Sequence, residues 1–84
     1  MTKILYFARK RQIIGKGEEE IALPAGITTV SLLIDFLKAR DEAYASAFAD
    51  PRIIRAAIDQ AHAPLDAPIT GAREIAFFPP VTGG

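Results

Sequence analysis

An α+β fold, a mixed sheet packed on one main helix, is what three observations predict. Segments near both ends of the chain alternate side chains in the two-residue period of strands. Between them Val30, Leu33, Ile34 and Leu37 fall at i, i+3, i+4 and i+7, the stripe of an amphipathic helix. With 50% hydrophobic residues in 84, the chain can bury one modest core in a single domain.

The elements follow in order. Residues 3–8 (KILYFA) are strand formers without a turn residue. Ile4, Tyr6 and Ala8 share one face; Lys3, Leu5 and Phe7 share the other. A helical turn at 9–14 is closed by Gly15. Residues 18–23 alternate again, Glu19, Ile21 and Leu23 against Glu18, Glu20 and Ala22, so the two strands form an antiparallel hairpin. Pro24-Ala25-Gly26 breaks the chain, and Thr28 or Thr29 caps the main helix. Leu32 and Phe36 widen its apolar face, and it ends near Arg40-Asp41.

Residues 43–49 are Ala-rich, with Tyr44 and Phe48 four apart, and form one or two helical turns before Asp50-Pro51. Residues 53–59 read as a strand. Residues 61–68 are mostly turn, with room for a very short strand. Thr70-Gly71 is a turn, and 72–78 form the last strand. There Arg73, Ile75 and Phe77 oppose Glu74, Ala76 and Phe78. This order is met most economically by a β-grasp roll over residues 1–78, with 79–84 as an extended tail.

Composition removes several function classes. Ten Lys plus Arg balance ten Asp plus Glu, so nothing points to nucleic acid or an anionic membrane. The charge is unevenly placed: Lys3, Arg9, Lys10, Arg11 and Lys16 precede the run Glu18, Glu19, Glu20. Either this is a solvated face of neighbouring opposite charges, or it is a basic patch beside a docking surface. Without cysteine there is no disulfide, thiolate site or cysteine nucleophile, and one histidine makes no multi-histidine metal site. No apolar run approaches the roughly 18 residues that span a bilayer, and residues 4–8 are too short for a signal-peptide core. A cytoplasmic location is expected.

Catalytic constellations are scarce. His62 has no nucleophile at a telling spacing; Ser31, Ser46 or a threonine are the candidates by type alone. Asp59 and Asp66 flank it, but acids there serve turns. No phosphate-loop pattern is present. Little activity is expected from this chain alone.

The ending FFPPVTGG is different. Pro79 and Pro80 fix φ and remove two backbone donors, so the sheet stops there. Val81, Thr82, Gly83 and Gly84 have no evident partner in the fold. Counting from Pro79, this stalk reaches about 20 Å at roughly 3.3 Å per residue. A frayed end is the ordinary alternative, but frayed ends are polar and this one is apolar. Gly83 and Gly84 can enter a narrow channel, and the Gly84 carboxylate is open to attack from either side once activated, for example as an acyl-adenylate. Phe7 and Phe78 fall on the strand faces opposite the expected core, Ile4, Tyr6, Ile75 and Phe77. Covering each with a partner would contribute about 2–3 kcal/mol; the alternative is that one of them is core. Arg11 either flanks this patch or is a solvated helix charge.

The pattern K-I-L-Y-F-A-x-x-R at 3–11, Gly15, T-T-V-x-x-L-x-x-x-L from Thr28, A-x-x-x-Q near 57–61, and E-I-A-F-F-P-P-V-T-G-G at 74–84 resembles the small-subunit family of molybdopterin synthases. The match runs along nearly the whole chain, and its specific part is A-F-F-P-P-V-T-G-G. The resemblance implies a ubiquitin-like β-grasp fold. It implies that Gly84 is adenylated with ATP bound by a ubiquitin-activating-like adenylyltransferase, and then becomes a thiocarboxylate. That group would enter the large synthase subunit and give its sulfur to cyclic pyranopterin monophosphate, building the molybdopterin dithiolene. Two small and two large subunits would form a heterotetramer. The small subunit would be a sulfur donor rather than a catalyst, binding no cofactor itself.

The chain departs from the family pattern in three places. Gly71-Ala72-Arg73-Glu74 replaces G-D-E, Ile58-Asp59-Gln60 replaces V-N-Q, and His62 stands where a hydrophobic partner contact is common. Three other functions share the fold or the Gly-Gly end. They are a carrier for thiamine or tRNA thiolation, a ubiquitin-like modifier of lysines, and a plain β-grasp binding module.

Overall fold

In the computed structural model, which describes residues 1–80, five strands form one sheet in the order β2-β1-β5-β3-β4. They are β1 (Thr2–Tyr6), β2 (Glu18–Ile21), β3 (Arg55–Ile58), β4 (Ala61–Ala63) and β5 (Glu74–Phe78). The helices are α1 (Ala8–Ile14), α2 (Val30–Arg40) and α3 (Glu42–Ala47). β1 and β5 lie side by side and parallel; the other neighbours are antiparallel. This mixed sheet with its helices is the expected β-grasp α+β fold.

β1 ends at Tyr6, two residues before the expected limit. Ala8 takes a positive φ of 54° and turns the chain into α1. Gly15 closes α1 as expected: at φ 88° its N–H donates to the Arg11 carbonyl at 2.9 Å, a conformation that glycine adopts without steric cost. β2 returns antiparallel to β1, pairing Thr2 with Ile21 and Leu5 with Glu18.

On α2, the Thr29 hydroxyl accepts the Leu32 N–H and caps the helix. Val30, Leu33, Ile34 and Leu37 are all buried, but Leu32 is exposed, so the apolar stripe is narrower than expected on that side. Asp41 caps α3, which buries Tyr44 ahead of buried Phe48. The next strand starts later than expected: Pro51–Ile53 form a 3₁₀ turn capped by Asp50, and Ile53 is exposed. Proline fixes φ there and starts the turn instead of a strand.

β3 and β4 are joined by Asp59-Gln60 at φ 49° and 74°, both left-handed, as a type I′ hairpin turn requires. The Asp59 carboxylate accepts the N–H groups of Arg73 and Glu74, each at 2.9 Å. Asp59 therefore sits in the turn and its carboxylate ties that turn to the start of β5, a structural role.

Ile4, Tyr6, Ile75 and Phe77 lie on the helix-covered face and are at most 1% exposed. Phe48 meets the Phe77 ring edge-on, with centroids 4.9 Å apart, and Tyr6 stacks on Phe77 at 6.4 Å. Each such side chain contributes about 1.5–3 kcal/mol by leaving water. Because strand side chains alternate, burying Tyr6 and Phe77 sends Leu5, Ala76 and Phe78 to the opposite face.

Candidate docking face and tail root

The register assembles that opposite face. Glu18, Leu5, Ala76, Ala57 and His62 form one continuous rung across all five strands. One step toward the tail, Phe78 pairs with Arg55 of β3. On its other side the Phe7 N–H donates to the Phe77 carbonyl at 3.1 Å. Among the described residues no helix covers this face's aromatic end: Phe7 is 44% exposed and Phe78 half-buried.

The expected partner-binding residues come together here. His62, exposed on the edge strand β4, sets its ring against Phe78 with centroids 5.1 Å apart. Arg11 shares a shallow groove with Leu5, Phe7, Gly17 and Glu18. A Cβ on Gly17 would lie 3.0 Å from the Arg11 Cζ, so the missing side chain lets the guanidinium settle against that strand.

Leu5, Ala57 and Ala76 belong to the same face and were not singled out from sequence. The alternation that placed Phe7 and Phe78 carries them too, but alanines give too weak a hydrophobic signal to stand out. Ala57 and Ala76 are each 8% exposed even without a covering helix; their small side chains leave the sheet flat between Leu5 and His62.

β5 ends at Phe78, where β3 begins and β1 has already turned into α1. Pro79 and Pro80 therefore leave from the end of the sheet, beside the aromatic end of the open face. The remaining tail residues expected to act, Val81, Thr82, Gly83 and Gly84, lie outside the described residues.

The charges sort into two kinds. Glu19 turns in from β2 and joins the helices: its carboxylate accepts the Tyr6 hydroxyl at 2.7 Å and the Tyr44 hydroxyl at 2.5 Å. Arg40 and Lys16 lie 3.5 and 3.7 Å from its other oxygen. Burial pushes this carboxyl up, but the Tyr44 and Tyr6 hydroxyls, Lys16 and Arg40 outweigh it and hold the group below the usual carboxylate range. Burial, reinforced by Glu19, raises both tyrosines. Lys10 is 5% exposed with its Nζ over the Phe48 ring, and burial lowers its pKa.

The basic residues divide by whether an acid pairs with them. Lys3, Lys16, Arg40 and Arg52 have carboxylate partners. Arg9, Arg11 and Arg55 have none among the described residues. Lys3 and Lys16 are paired with the acidic run, as the solvated-face reading expects, and Arg11 borders the open face.

Among the described residues no group of three or more His, Asp or Glu side chains could hold a metal ion, and no helix is long and apolar enough to cross a membrane. A depression between residues 22–28 and 69–73 lies at the opposite end of the strands from the tail and contains none of the candidate residues.

The ThiS family profile matches residues 4–84. The chain is 39% identical to the molybdopterin synthase sulfur carrier subunit of Escherichia coli K12, over 100% of both chains. Among solved structures it is similar to SAMP1 of Haloferax volcanii, with a TM-score of 0.75 at 24% identity over 99% of this chain and 98% of that one. A putative molybdopterin converting factor, subunit 1, of Pyrococcus furiosus gives a TM-score of 0.73 at 32% identity over 95% and 97%.

Proposed function

The chain belongs to the ThiS family, and on that premise we propose that it is the sulfur carrier subunit of a molybdopterin synthase, with the Gly84 carboxyl group as its reactive centre. The observation that carries this reading is the 39% identity to the Escherichia coli carrier subunit along the full length of both chains. The open face and the position of the tail root are consistent with it.

The Gly84 carboxylate attacks the α-phosphorus of ATP held by a separate ubiquitin-activating-like adenylyltransferase, and pyrophosphate leaves. Sulfide-level sulfur, delivered as hydrosulfide by a sulfur donor, then displaces AMP from the acyl carbon and leaves a terminal thiocarboxylate. In the large synthase subunit its sulfur bonds to a carbon of cyclic pyranopterin monophosphate as a carbon–oxygen bond at that carbon breaks and the oxygen substituent leaves. Water cleaves the acyl–sulfur bond and regenerates the carboxylate. A dithiolene holds two sulfurs, so two charged carriers are consumed per molybdopterin.

The domain's own residues do not enter these bonds. Phe7, Phe78, His62 and Arg11 form the docking face, and Pro79 and Pro80 direct the stalk. Val81 to Gly84 thread the partner's channel, where glycine's lack of a side chain allows close approach.

Intact-mass measurement tests the first half. Protein from cells containing the sulfur-transfer enzymes should carry one terminal oxygen replaced by sulfur. Persistent absence of that species would sink the carrier reading, and high-mass conjugates would favour a protein modifier.

A further inference from the structure

We propose that Arg55 is a docking residue that takes a carboxylate, an Asp or Glu side chain of the large synthase subunit, at the root of the tail; this rests on the proposed function above. Arg55 is exposed at the first position of β3 and pairs in register with Phe78, the last strand residue before Pro79. Its side chain shares the open face with Phe78. Any partner that covers Phe78 and accepts the tail passes beside this guanidinium.

The guanidinium is already oriented. Its Nη1 donates to the carbonyls of Ile54 at 3.0 Å and Arg52 at 3.2 Å. Nε and Nη2 meet no acceptor, and no carboxylate lies within ion-pair distance, among the described residues. A guanidinium presents Nε and Nη2 as a parallel pair of donors that matches the two oxygens of a carboxylate. Three residues earlier Arg52 shows the pairing completed: its Nε and Nη2 meet the two Asp50 oxygens at 3.0 Å each. Arg55 holds the same donors ready with no acid among the described residues. Holding the side chain in place beforehand lowers the ordering cost of docking.

The occupant is an acid rather than an apolar contact because covering an unpaired guanidinium with apolar surface is strongly unfavourable. An acid opposite converts the same burial into a charge-assisted, bidentate bond.

The test is the affinity of the full chain for the purified large subunit, measured for wild type, Arg55→Ala, Arg55→Lys and Phe78→Ala at two salt concentrations. Arg55→Ala should raise Kd about 10–30-fold at low salt, the range of a lost charge-assisted contact, with an unchanged melting temperature. The loss should shrink at high salt, where the wild-type ion pair is screened. Arg55→Lys should recover only part of the affinity, since an ammonium keeps the charge without the fork. If Arg55→Ala binds within about twofold of wild type while Phe78→Ala is weakened, the open face docks but Arg55 takes no carboxylate. A loss confined to adenylation by the activating enzyme would also overturn the assignment. If Phe78→Ala also binds like wild type, the docking face itself is wrong and the proposal falls with it.

Discussion

Phe77 and Phe78 are neighbours in one strand, and their surroundings are opposite. Phe77 is fully buried against Tyr6 and Phe48. Phe78 is half-buried, touched by a histidine from the edge strand and left uncovered by any helix. The covered face is saturated: no buried side-chain polar atom among the described residues lacks a hydrogen-bond partner. The open face keeps apolar surface and arginines without a carboxylate partner among the described residues. One face holds the fold together, and the other is available to a partner.

Exchanging the two phenylalanines for alanine should separate these roles most sharply. Phe77→Ala leaves a large cavity and should cost about 3–5 kcal/mol, much of the total stability of a domain this size. Phe78→Ala should cost under about 1 kcal/mol of stability, because its ring is partly solvated already. It should still weaken binding to the large subunit at least about tenfold, as aromatic anchors do. Urea melts with a binding titration measure both; equal destabilisation by the two variants would erase the distinction between the faces.

The Glu19 cluster gives the covered face a pH signature. Glu19→Ala removes the acceptor of two tyrosine hydroxyls and should cost about 2–3 kcal/mol at neutral pH. In the wild type the folded carboxyl sits below its ordinary value of 4.5. Its contribution is therefore complete above that value and is lost as pH falls through the lower, folded one. Glu19→Gln should flatten the acid limb of the stability curve. An unchanged limb would place the acid sensitivity elsewhere.

How much of this was legible in the sequence differs between the faces. Strand alternation placed Ile4, Tyr6, Ile75 and Phe77 inside and Phe7 and Phe78 outside, because regular strands leave a side chain only two directions. The helical spacing gave the buried stripe of α2, and Gly15 marked the end of α1. Leu32 was expected on the apolar face because hydrophobicity alone cannot tell a stripe's edge from its centre. Ile53 was read into a strand because its preference competes with a 3₁₀ turn set by Asp50 and Pro51. β4 was barely visible, since its hairpin turn is Asp59-Gln60 and carries no glycine. Arg55 was invisible as a site: its orientation comes from two main-chain carbonyls, which sequence patterns do not show.

The smallest effect expected is a gain. Lys10 is a cation on the covered side, over the Phe48 ring, with no carboxylate partner among the described residues. Lys10→Met keeps the aliphatic length and removes a charge that partial burial already disfavours. It should raise stability by about 1 kcal/mol at neutral pH, read as a higher melting temperature. A loss would mean that the cation–aromatic contact outweighs burial of the charge.

The central claim is that the protein's reactive group is the end of its own backbone, displayed by a domain that takes no part in the bonds. Molybdopterin formation from purified large subunit, pyranopterin precursor and thiocarboxylated chain tests it most directly. The same assay is then run with a chain lacking Gly84 that has been through the same activation. The intact chain should support conversion, and the truncated chain should support none while melting at the wild-type temperature. Conversion by the folded, truncated chain would contradict the account.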